Sequence, residues 1–510
     1  MASLGFIQYI NKYRFFILSI LFIIGLYFFL RLYDLTSLPL FIDEVSYVRW
    51  GILAQTDATQ RFISLTDGKQ PLFVWIMWPL VKVFSDPVVA GRMVSVVSGF
   101  LTIVGLFCLT KVLFKRNAIA VVTSFIYLLV PMTLLYDRLA LYDSLVASLT
   151  VWSLFFLVLL VRLVRLDVAI LLGYVFGLGL LTKSSIQLVM VLSPVALLLS
   201  PGLTKKRLLR LGGLFFVSII IAFFIAQIMR LSSYHHMIGT KNTVFVYSLS
   251  EILQNPPLGV WFTNIHDLSA WFVSYMTLPI LLIGILSFVL IKRDTKEKLF
   301  LLLMSILPLL SVVVLGKLIY PRYILFMLVT FLPLAGYGIW ALYSQIEKKM
   351  ISLALIFLIF LPSIYIDGFI LKDMPNAPIP QADSLQFANS WPSGYGMMDV
   401  IRFIDARSQE GTVYLATEGL YGSLPTTLAA IYLEHNHEVV RFPIDHPLPK
   451  KLPQELMWQA EKHPVYIVLN IEQQAPSTWP VQLVERYRKG KGEYYLSLYQ
   501  LKLPSSPSEK

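Results

Sequence analysis

Long apolar runs separated by short polar stretches fill the chain up to about residue 372. A helix needs about 20 apolar residues to cross a bilayer, and roughly eleven runs meet or approach that length. The pattern therefore predicts a polytopic α-helical membrane protein with about 11 transmembrane helices. The predicted spans are 14–33, 88–113, 117–136, 142–161, 168–183, 185–201, 208–229, 272–291, 298–316, 322–343 and 350–371.

One further apolar run, "PLFVWIMWPLVKVF" at 71–84, is interrupted by Pro79 and Lys82. It is too short to cross the membrane and is better interpreted as an interfacial or re-entrant segment. With a cytoplasmic N-terminus, this assignment puts every cluster of Lys and Arg on the cytoplasmic side, as the positive-inside rule requires. The loops with Asp43 and Asp137 then face outward. The basic clusters lie at 111–116, 162–165, 205–210, 292–298 and 348–349.

The composition changes after residue 372. "KDMPNAPIPQADS" is typical of a linker, and short apolar runs with turn residues between them follow it. We predict a transmembrane domain, 1–372, and a small C-terminal α/β domain, 373–510. An odd number of spans makes the second domain extracytoplasmic. Its predicted strands are "TVYLAT", "EVVRFP", "VYIVLN" and "YYLSLYQLKL", and its predicted helices lie near 396–407, 424–434 and 453–462.

Composition agrees with a membrane protein. Hydrophobic residues make up 57% of the 510 residues, charged residues 14%, and the mean hydropathy is +0.70. The net charge of +12 comes from the basic clusters between spans, with no basic groove of the kind that binds nucleic acid. We therefore expect a multi-pass protein of the cell (plasma or inner) membrane whose partners include the lipid bilayer and no nucleic acid. The single cysteine, Cys108, excludes an internal disulfide.

The first outer loop contains two adjacent acids. In "FIDEVSYVRWGILAQ", apolar positions at Val45, Val48 and Ile52 predict a helix that lies along the membrane surface. Asp43 suits the N-cap of that helix, and Glu44 suits its first turn, where a carboxylate interacts favourably with the helix dipole. A catalytic role for the pair is the alternative, and helical spacing by itself leaves both open.

Other charged residues gather at the same predicted face. Each has a structural explanation as a cap or an interfacial anchor, but together they suit a site with a phosphate leaving group and a general base. No group of side chains has metal-ligand spacing, so a divalent metal is left open and no cofactor is predicted. The stretches concerned are "DGKQPLFVW" with Lys69, "LYDRLALYDSL" with Arg138 and Asp143, "GLLTKSS" with Lys183, "MRLSSYHHMIGTKN" with Arg230, His236 and Lys241, and "GKLIYPRYILF" with Arg322.

The order of these motifs resembles that of membrane glycosyltransferases of the GT-C fold, in the branch of the protein O-mannosyltransferases and the lipid A aminoarabinose transferases. The likeness covers about the first 240 residues and 316–340, with an acid pair, "KxPL", "RxALxD" and "LTK" in sequence. It implies inverting transfer of a single sugar from a polyprenyl-phosphate carrier on the outer face of the membrane. The acceptor would be a protein, a glycan or a lipid.

The resemblance also assigns roles to individual residues. It implies that Asp43 is the general base, that Glu44 is its companion acid, and that Asp143 takes part in catalysis or acceptor placement. The cations implied to bind the donor phosphate are Lys69, Arg138, Lys183 and Arg322, with Arg230, His236 and Lys241 as looser candidates.

Two departures and two alternative functions qualify this assignment. Gly68 stands where the aminoarabinose branch commonly has Glu, and the outer domain is C-terminal, whereas the eukaryotic mannosyltransferases have a lumenal domain inserted between spans. The "WWDYG" motif of oligosaccharyltransferases is absent, which argues against transfer of a whole oligosaccharide. A lipid or sugar transporter or flippase would place ionisable groups near the membrane midplane, whereas these spans are nearly charge-free at their centres. A scaffold that presents the C-terminal domain would lose its role without 373–510. A transferase is expected to keep its Asp43-dependent chemistry, with the C-terminal domain covering the site or selecting the acceptor.

Overall fold

The computed structural model describes residues 2–503, with side chains from residue 14 onward. The chain divides into two compact units. We call them the helical unit, Met1–Leu35, Ala58–Met77 and Arg92–Lys372, and the sheet unit, Thr36–Asp57, Trp78–Gly91 and Asp373–Lys510. The last division between the units falls after Lys372, where the composition of the sequence changes. Two segments of the first outer loop, however, group with the C-terminal part of the chain.

Helices dominate the chain up to residue 372, and the remaining described residues combine helices with five strands. The helices are α1 (Ala2–Leu32), α2 (Ile42–Thr56), α3 (Leu72–Leu80), α4 (Pro87–Phe114), α5 (Asn117–Leu129), α6 (Pro131–Tyr136), α7 (Tyr142–Leu163), α8 (Leu166–Leu180), α9 (Ile186–Leu192), α10 (Lys205–Ala226), α11 (Met237–Phe245), α12 (Leu249–Gln254), α13 (Leu258–Met276), α14 (Leu278–Leu290), α15 (Thr295–Leu315), α16 (Leu325–Gln345), α17 (Lys349–Lys372), α18 (Gln381–Ser384), α19 (Met397–Ser408), α20 (Leu424–Tyr432) and α21 (Gln454–Gln459). Tighter 3-10 turns occupy Ala58–Asp67, Ser193–Leu199, Gln227–Leu231, Ser233–His236, Pro321–Ile324 and Met374–Asn376, and a π turn occupies Leu385–Asn389. The strands are β1 (Val413–Glu418), β2 (Val439–Ile444), β3 (Val465–Leu469), β4 (Val481–Arg488) and β5 (Tyr495–Leu501).

Apolar helices account for all of the predicted spans. In the described part of the chain, seven are long and apolar enough to cross a membrane, and the bent pair α13–α14 adds an eighth if it counts as one span. The remaining predicted spans fall on three shorter apolar helices, Asn117–Leu129, Leu166–Leu180 and Ile186–Leu199. The prediction of a helical multi-pass membrane protein is confirmed, and the count of eleven crossings stays a prediction.

Local sequence explains where the apolar helices break. The residue before a proline disfavours helical geometry, and Val130, before Pro131, separates α5 from α6. Thr277 has a positive φ of 59° and separates α13 from α14, which are bent by 95°. The predicted span at 272–291 covers α14 and the end of α13, and polar Asn264, His266 and Asp267 interrupt the apolar pattern of α13 before it. The nine-residue helix α3 is too short to cross, in agreement with the interfacial or re-entrant interpretation of 71–84.

The sheet unit contains a five-stranded mixed sheet with the strand order β2-β1-β3-β5-β4. Strands β2, β1 and β3 are parallel, and β5 and β4 continue the sheet in antiparallel pairs. Its core includes Ala416, Ile467, Leu456 and Trp479. The four strands and three helices predicted from the sequence are present, with bounds shifted by a few residues. Sequence analysis missed β4, because this edge strand is mostly exposed and lacks an apolar face.

Candidate active site

The acid pair lies in the first turn of α2. Phe41 is the N-cap, and the Glu44 carboxylate accepts a hydrogen bond from the Phe41 backbone N–H at 3.4 Å. The prediction that Asp43 is the N-cap is therefore wrong, because the helix begins one residue before it. Glu44 is buried, whereas Asp43 is partly exposed. Glu44, and not Asp43, makes the capping interaction of α2. Capping therefore does not explain why an acid stands at position 43.

The start of α2 is fixed within the sheet unit. Phe41 forms an isolated antiparallel bridge with Ser393, and the Ile42 N–H donates to the Pro392 carbonyl at 3.1 Å. Gly394 permits this approach, since a Cβ there would lie 2.5 Å from the Leu40 carbonyl oxygen. The Ser393 carbonyl also accepts a hydrogen bond from Lys489 at 2.5 Å, and burial lowers the pKa of that lysine to about 7. The acid pair is thus carried by the same unit as the C-terminal sheet.

A second anchor holds the middle of α2. The Arg49 guanidinium forms a bidentate ion pair with Glu434, with one distance of 2.9 Å, and donates to the Ala430 carbonyl at 3.3 Å. Glu434 follows α20, so the pair ties the helix of the acid pair to a helix of the C-terminal sheet. Hydrogen bonding from Arg49 holds the pKa of Glu434 below its ordinary value. Sequence analysis missed this pair, because nothing in either local pattern points to the other residue.

Motifs that are distant in sequence meet in the helical unit. The Leu72 N–H donates to the Leu181 carbonyl at 2.9 Å, which joins the "KxPL" and "LTK" stretches. The Gln70 amide donates to the Ser184 hydroxyl at 2.8 Å and extends this contact. The Phe73 ring stacks on Tyr142, beside Asp143, with ring centroids 4.9 Å apart. Three of the motifs named from the sequence therefore form one region.

Asp143 and Lys183 form an ion pair at the centre of this region. Lys183 Nζ lies 2.7 Å from the Asp143 carboxylate, and the side chains of Lys183 and Asp143 are 28% and 7% exposed. The same ammonium lies 4.8 Å from the centroid of the Tyr323 ring. Arg322, the residue before Tyr323, is nearly buried and lies over the ring of Tyr320. Asp143 and Lys183 thus contact each other, and Lys183 also contacts the segment that carries Arg322.

The other cations named from the sequence contact other residues. Lys69 Nζ lies 5.9 Å from the centroid of the Phe245 ring, and Lys241 forms an ion pair with Asp67. Arg230 and His236 are exposed, and the His236 ring nitrogen Nδ1 lies 3.0 Å from the Ser233 carbonyl. None of these contacts tests a role in phosphate binding, so the assignments stay predictions.

Arg138 has a clear structural function. Its side chain is fully buried and donates four hydrogen bonds of 2.7–3.1 Å to backbone carbonyls at the end of α1. These carbonyls have no partner within the helix itself, so a guanidinium there caps α1. Binding of the donor phosphate by Arg138 stays a prediction, and its contacts favour the structural role. The acceptors are the carbonyls of Leu30, Arg31, Tyr33 and Asp34.

Asp137 is the centre of a buried network that sequence analysis did not find. Its carboxylate lies 3.5 Å from Arg31 Nε and accepts hydrogen bonds from Ser144 at 2.8 Å and from Tyr27 and Tyr127 at 3.2–3.3 Å. Both members of the ion pair are completely buried. Arg31 stands at the end of the first predicted span, where a charged residue is usually an interfacial anchor, so no local pattern indicated this partner.

The backbone at position 68 suits glycine, whereas the resemblance to the aminoarabinose branch implies Glu there. Its φ is +66°, and a Cβ at this position would lie 2.6 Å from the Met237 carbonyl oxygen and from the Lys241 Cβ. A glutamate here would combine a left-handed backbone with a clash against α11. The departure from the pattern of the aminoarabinose branch thus has a steric cause in this chain.

Substitution of Gly68 by Ala is expected to lower the melting temperature of the purified protein. The left-handed backbone alone costs about 1–2 kcal/mol for a residue with a Cβ, and the contact with Met237 adds to it. The matched control is Gly239→Ala on α11, where a Cβ meets nothing within 4 Å. That control should be neutral or slightly stabilising. Equal melting temperatures for Gly68→Ala and wild type would contradict the steric explanation.

Comparisons with known proteins agree with this architecture. Residues 68–227, less than half of the chain, match the model of the family described as dolichyl-phosphate-mannose-protein mannosyltransferase. The crystal structure of ArnT from Cupriavidus metallidurans bound to undecaprenyl phosphate is 14% identical, with a TM-score of 0.57 over 97% of this chain and 100% of that chain. The apo state of the same protein gives 13% identity and a TM-score of 0.57 over 99% and 100%. No curated protein matches the chain.

At this level of identity the structural likeness concerns the fold. The family match covers the region in which the "KxPL", "RxALxD" and "LTK" motifs meet. The resemblance to membrane glycosyltransferases of the GT-C fold, drawn from the sequence, is confirmed.

Proposed function

We propose that this protein transfers a single sugar, with inversion, from a polyprenyl-phosphate carrier to a protein, glycan or lipid acceptor. The observation that carries the proposal is the Asp143–Lys183 ion pair beside Tyr323. It joins three motifs that the sequence spreads over some hundred and eighty residues. An acid and a cation at one site suit a reaction in which a phosphate leaves and an acceptor is held in place.

The donor phosphate would bind the cations of the helical unit. Lys183 and Arg322 are the first candidates. Lys69, the lysine of the "KxPL" motif, is the third. Ammonium and guanidinium groups neutralise the phosphate in the ground state and stabilise the charge that grows on it as the bond to the sugar breaks. Lys183 pairs with Asp143, and a bound phosphate would share that ammonium. The likeness in fold to ArnT, which was crystallised bound to undecaprenyl phosphate, supports a carrier of this class.

Asp43 would be the general base. It takes the proton from the acceptor hydroxyl or amine as that atom bonds to the anomeric carbon of the sugar. The bond from this carbon to the phosphate oxygen breaks, and polyprenyl phosphate leaves with the electron pair. Attack from the side opposite the phosphate inverts the anomeric centre. The partial exposure of Asp43 in the first turn of α2 is compatible with access to an acceptor.

The membrane orientation belongs to the same proposal. Positively charged loops favour a cytoplasmic N-terminus, and an odd number of crossings then makes the C-terminal α/β domain extracytoplasmic. Sugar transfer would take place on that outer face of the plasma or inner membrane. No cofactor enters the proposed chemistry.

The purified full-length protein tests the reaction class directly. It is incubated with polyprenyl-phosphate-linked mannose or aminoarabinose, together with a panel of peptide, glycan and lipid acceptors, and the release of polyprenyl phosphate is measured. We expect release with one of these donors. Absence of both turnover and donor binding would reject the transferase. Movement of lipid-linked sugar across reconstituted vesicles, without cleavage, would establish the alternative transporter or flippase.

The Arg49–Glu434 pair predicts that the sheet unit positions the base. Removal of either partner in Arg49→Ala or Glu434→Ala should lower kcat about tenfold, which corresponds to about 1.4 kcal/mol, with a smaller change in the KM for donor. The exchange variant Arg49→Glu with Glu434→Arg should recover part of the loss. The matched control is Arg402→Ala, which breaks the exposed Arg402–Asp399 pair of α19 and should leave kcat unchanged. If Arg402→Ala lowered kcat as much as Arg49→Ala, Arg49 would not position the base.

A further inference from the structure

Three side chains with metal-binding groups meet in the sheet unit, and the proposed reaction uses none of them. They are Glu418, His446 and Glu472, and one ligand atom of each lies within 4.8 Å of the other two. We refer to them as the Glu–His–Glu group. Among the residues that the structure describes, no other set of three or more histidine, cysteine or acidic side chains has this spacing.

The group lies where parallel sheets bind ligands. Glu418 ends β1, His446 follows the end of β2, and Glu472 follows the end of β3. Strand β1 lies between β2 and β3, so the chain leaves β1 toward one side and later returns to its other side. That reversal makes the carboxyl ends of β1 and β3 a topological switch point, where open parallel sheets have a ligand crevice.

The Glu418 carboxylate is held in a fixed orientation. Its side chain is fully buried, and Oε2 accepts hydrogen bonds from the backbone N–H groups of Asn470 and Ile471 at 2.6 and 2.7 Å. Oε1 accepts from the Glu472 N–H at 3.1 Å and lies 3.0 Å from His446 Nδ1. Such hydrogen bonds to a carboxylate orient a metal ligand in the way that outer-shell groups do in metalloproteins.

A buried amide oxygen provides a second observation at this edge. Asn470 is 1% exposed and donates from its Nδ2 to the Trp391 carbonyl at 3.0 Å, but its Oδ1 has no hydrogen-bond partner among the residues that the structure describes. Buried polar atoms are normally satisfied by protein, by ordered water or by an ion. Its backbone N–H already contacts Glu418, so the amide oxygen belongs to the same turn as the group. An ion or ordered water near this turn is the kind of partner that such an oxygen normally has.

We propose that Glu418, His446 and Glu472 bind a divalent first-row metal ion, for which Zn²⁺ is the best match. One imidazole nitrogen and two carboxylates are ligands of zinc, and three protein ligands leave a coordination position open to water or an anionic group. His446 is 35% exposed, so the site is accessible from solvent. The ion would take the place of the contact between His446 Nδ1 and Glu418 Oε1. The proposal does not depend on the glycosyltransferase reaction.

Metal content of the full-length protein tests the site. Detergent-purified protein is stripped with a chelator, equilibrated with ZnCl₂ and gel-filtered, and zinc per chain is measured by mass spectrometry. We expect wild type to retain one equivalent more than His446→Ala and Glu472→Gln. Both replaced side chains reach solvent, so the variants should fold. The control, His437→Ala, removes an exposed histidine of the same domain and should behave as wild type.

A second readout separates this site from any other in the protein. Zinc should raise the melting temperature of wild type and of His437→Ala, because a ligand that binds only the folded state stabilises it. The same addition should leave His446→Ala and Glu472→Gln unchanged. If wild type retains no zinc, or if all four proteins retain the same amount, the proposal is wrong, and the group is an ion pair that joins the ends of three strands.

Discussion

Replacing Asp43 by Asn is expected to reduce turnover of a lipid-linked sugar by about 10²–10⁴-fold, the usual contribution of a general base. Asparagine has nearly the same shape but cannot take a proton from the acceptor at neutral pH. Donor affinity should change little, because the proposed phosphate ligands are cations of the helical unit. Stability should also change little, because Asp43 is partly exposed and Glu44, not Asp43, closes the helix cap.

Release of polyprenyl phosphate, donor binding and melting temperature should be measured on the same preparations. Ser46→Ala is the matched control on α2, since its hydroxyl donates to the Ile42 carbonyl within the helix. Wild-type turnover by Asp43→Asn would remove the base assignment while leaving the transferase class intact. Glu44→Gln keeps an oxygen that accepts the Phe41 hydrogen bond. A large loss of turnover in that variant would therefore show that Glu44 is a companion acid and not only a cap.

Replacing Asp137 by Ala is expected to destabilise the helical unit by about 3–5 kcal/mol, the typical result of removing one partner from a buried ion pair. Arg31 would keep its charge in a fully buried position, and the hydroxyls of Tyr127 and Ser144 would lose their acceptor. Gly99 gives the same network its space, since a Cβ there would lie 2.3 Å from Asp137 Oδ2 and the Tyr27 hydroxyl. Because the groups around Asp137 are buried and closely packed, they can rearrange little to compensate for the lost carboxylate.

Thermal or denaturant unfolding in detergent measures this loss. Asp167→Ala is the matched control, because Asp167 forms an exposed pair with Arg165 that should contribute nothing measurable. The double variant Arg31→Met with Asp137→Leu should be less destabilised than Asp137→Ala, since no buried charge is then left alone. Equal stability of Asp137→Ala and Asp167→Ala would show that the network does not stabilise the fold.

The packing of α2 changes what deletion of the C-terminal residues would mean. The sequence suggested that a transferase without 373–510 keeps its Asp43-dependent chemistry. In the structure that segment supplies Ser393, which pairs with Phe41, and Glu434, which pairs with Arg49. Deletion would release the helix that carries the acid pair, so lost activity could not separate an enzyme from a scaffold. Point substitutions at Arg49 and Asp43 make that distinction.

Much of this protein follows from local pattern. Apolar run length predicted the multi-pass helical architecture, because a bilayer core demands a fixed length of apolar helix. Alternating short runs predicted β1, β3 and β5, which are largely buried, and β2, which is partly buried. They did not predict β4, because its exposed edge position removes the apolar signal. Motif order indicated the resemblance to GT-C glycosyltransferases and the candidates Asp143 and Lys183, about forty residues apart.

Contacts between distant residues had to come from the tertiary structure. A sequence shows that Asp143 and Lys183 are charged, but only the packing of α7 against the turn after α8 makes them an ion pair. The same holds for Asp137 with Arg31 and for Arg49 with Glu434, which is separated from it by nearly four hundred residues. Hydrophobic periodicity determines which segments are helices and strands, because it depends on neighbours along the chain. The partner of a buried charge depends on which side chain the fold brings within a few ångströms, and no local pattern carries that information.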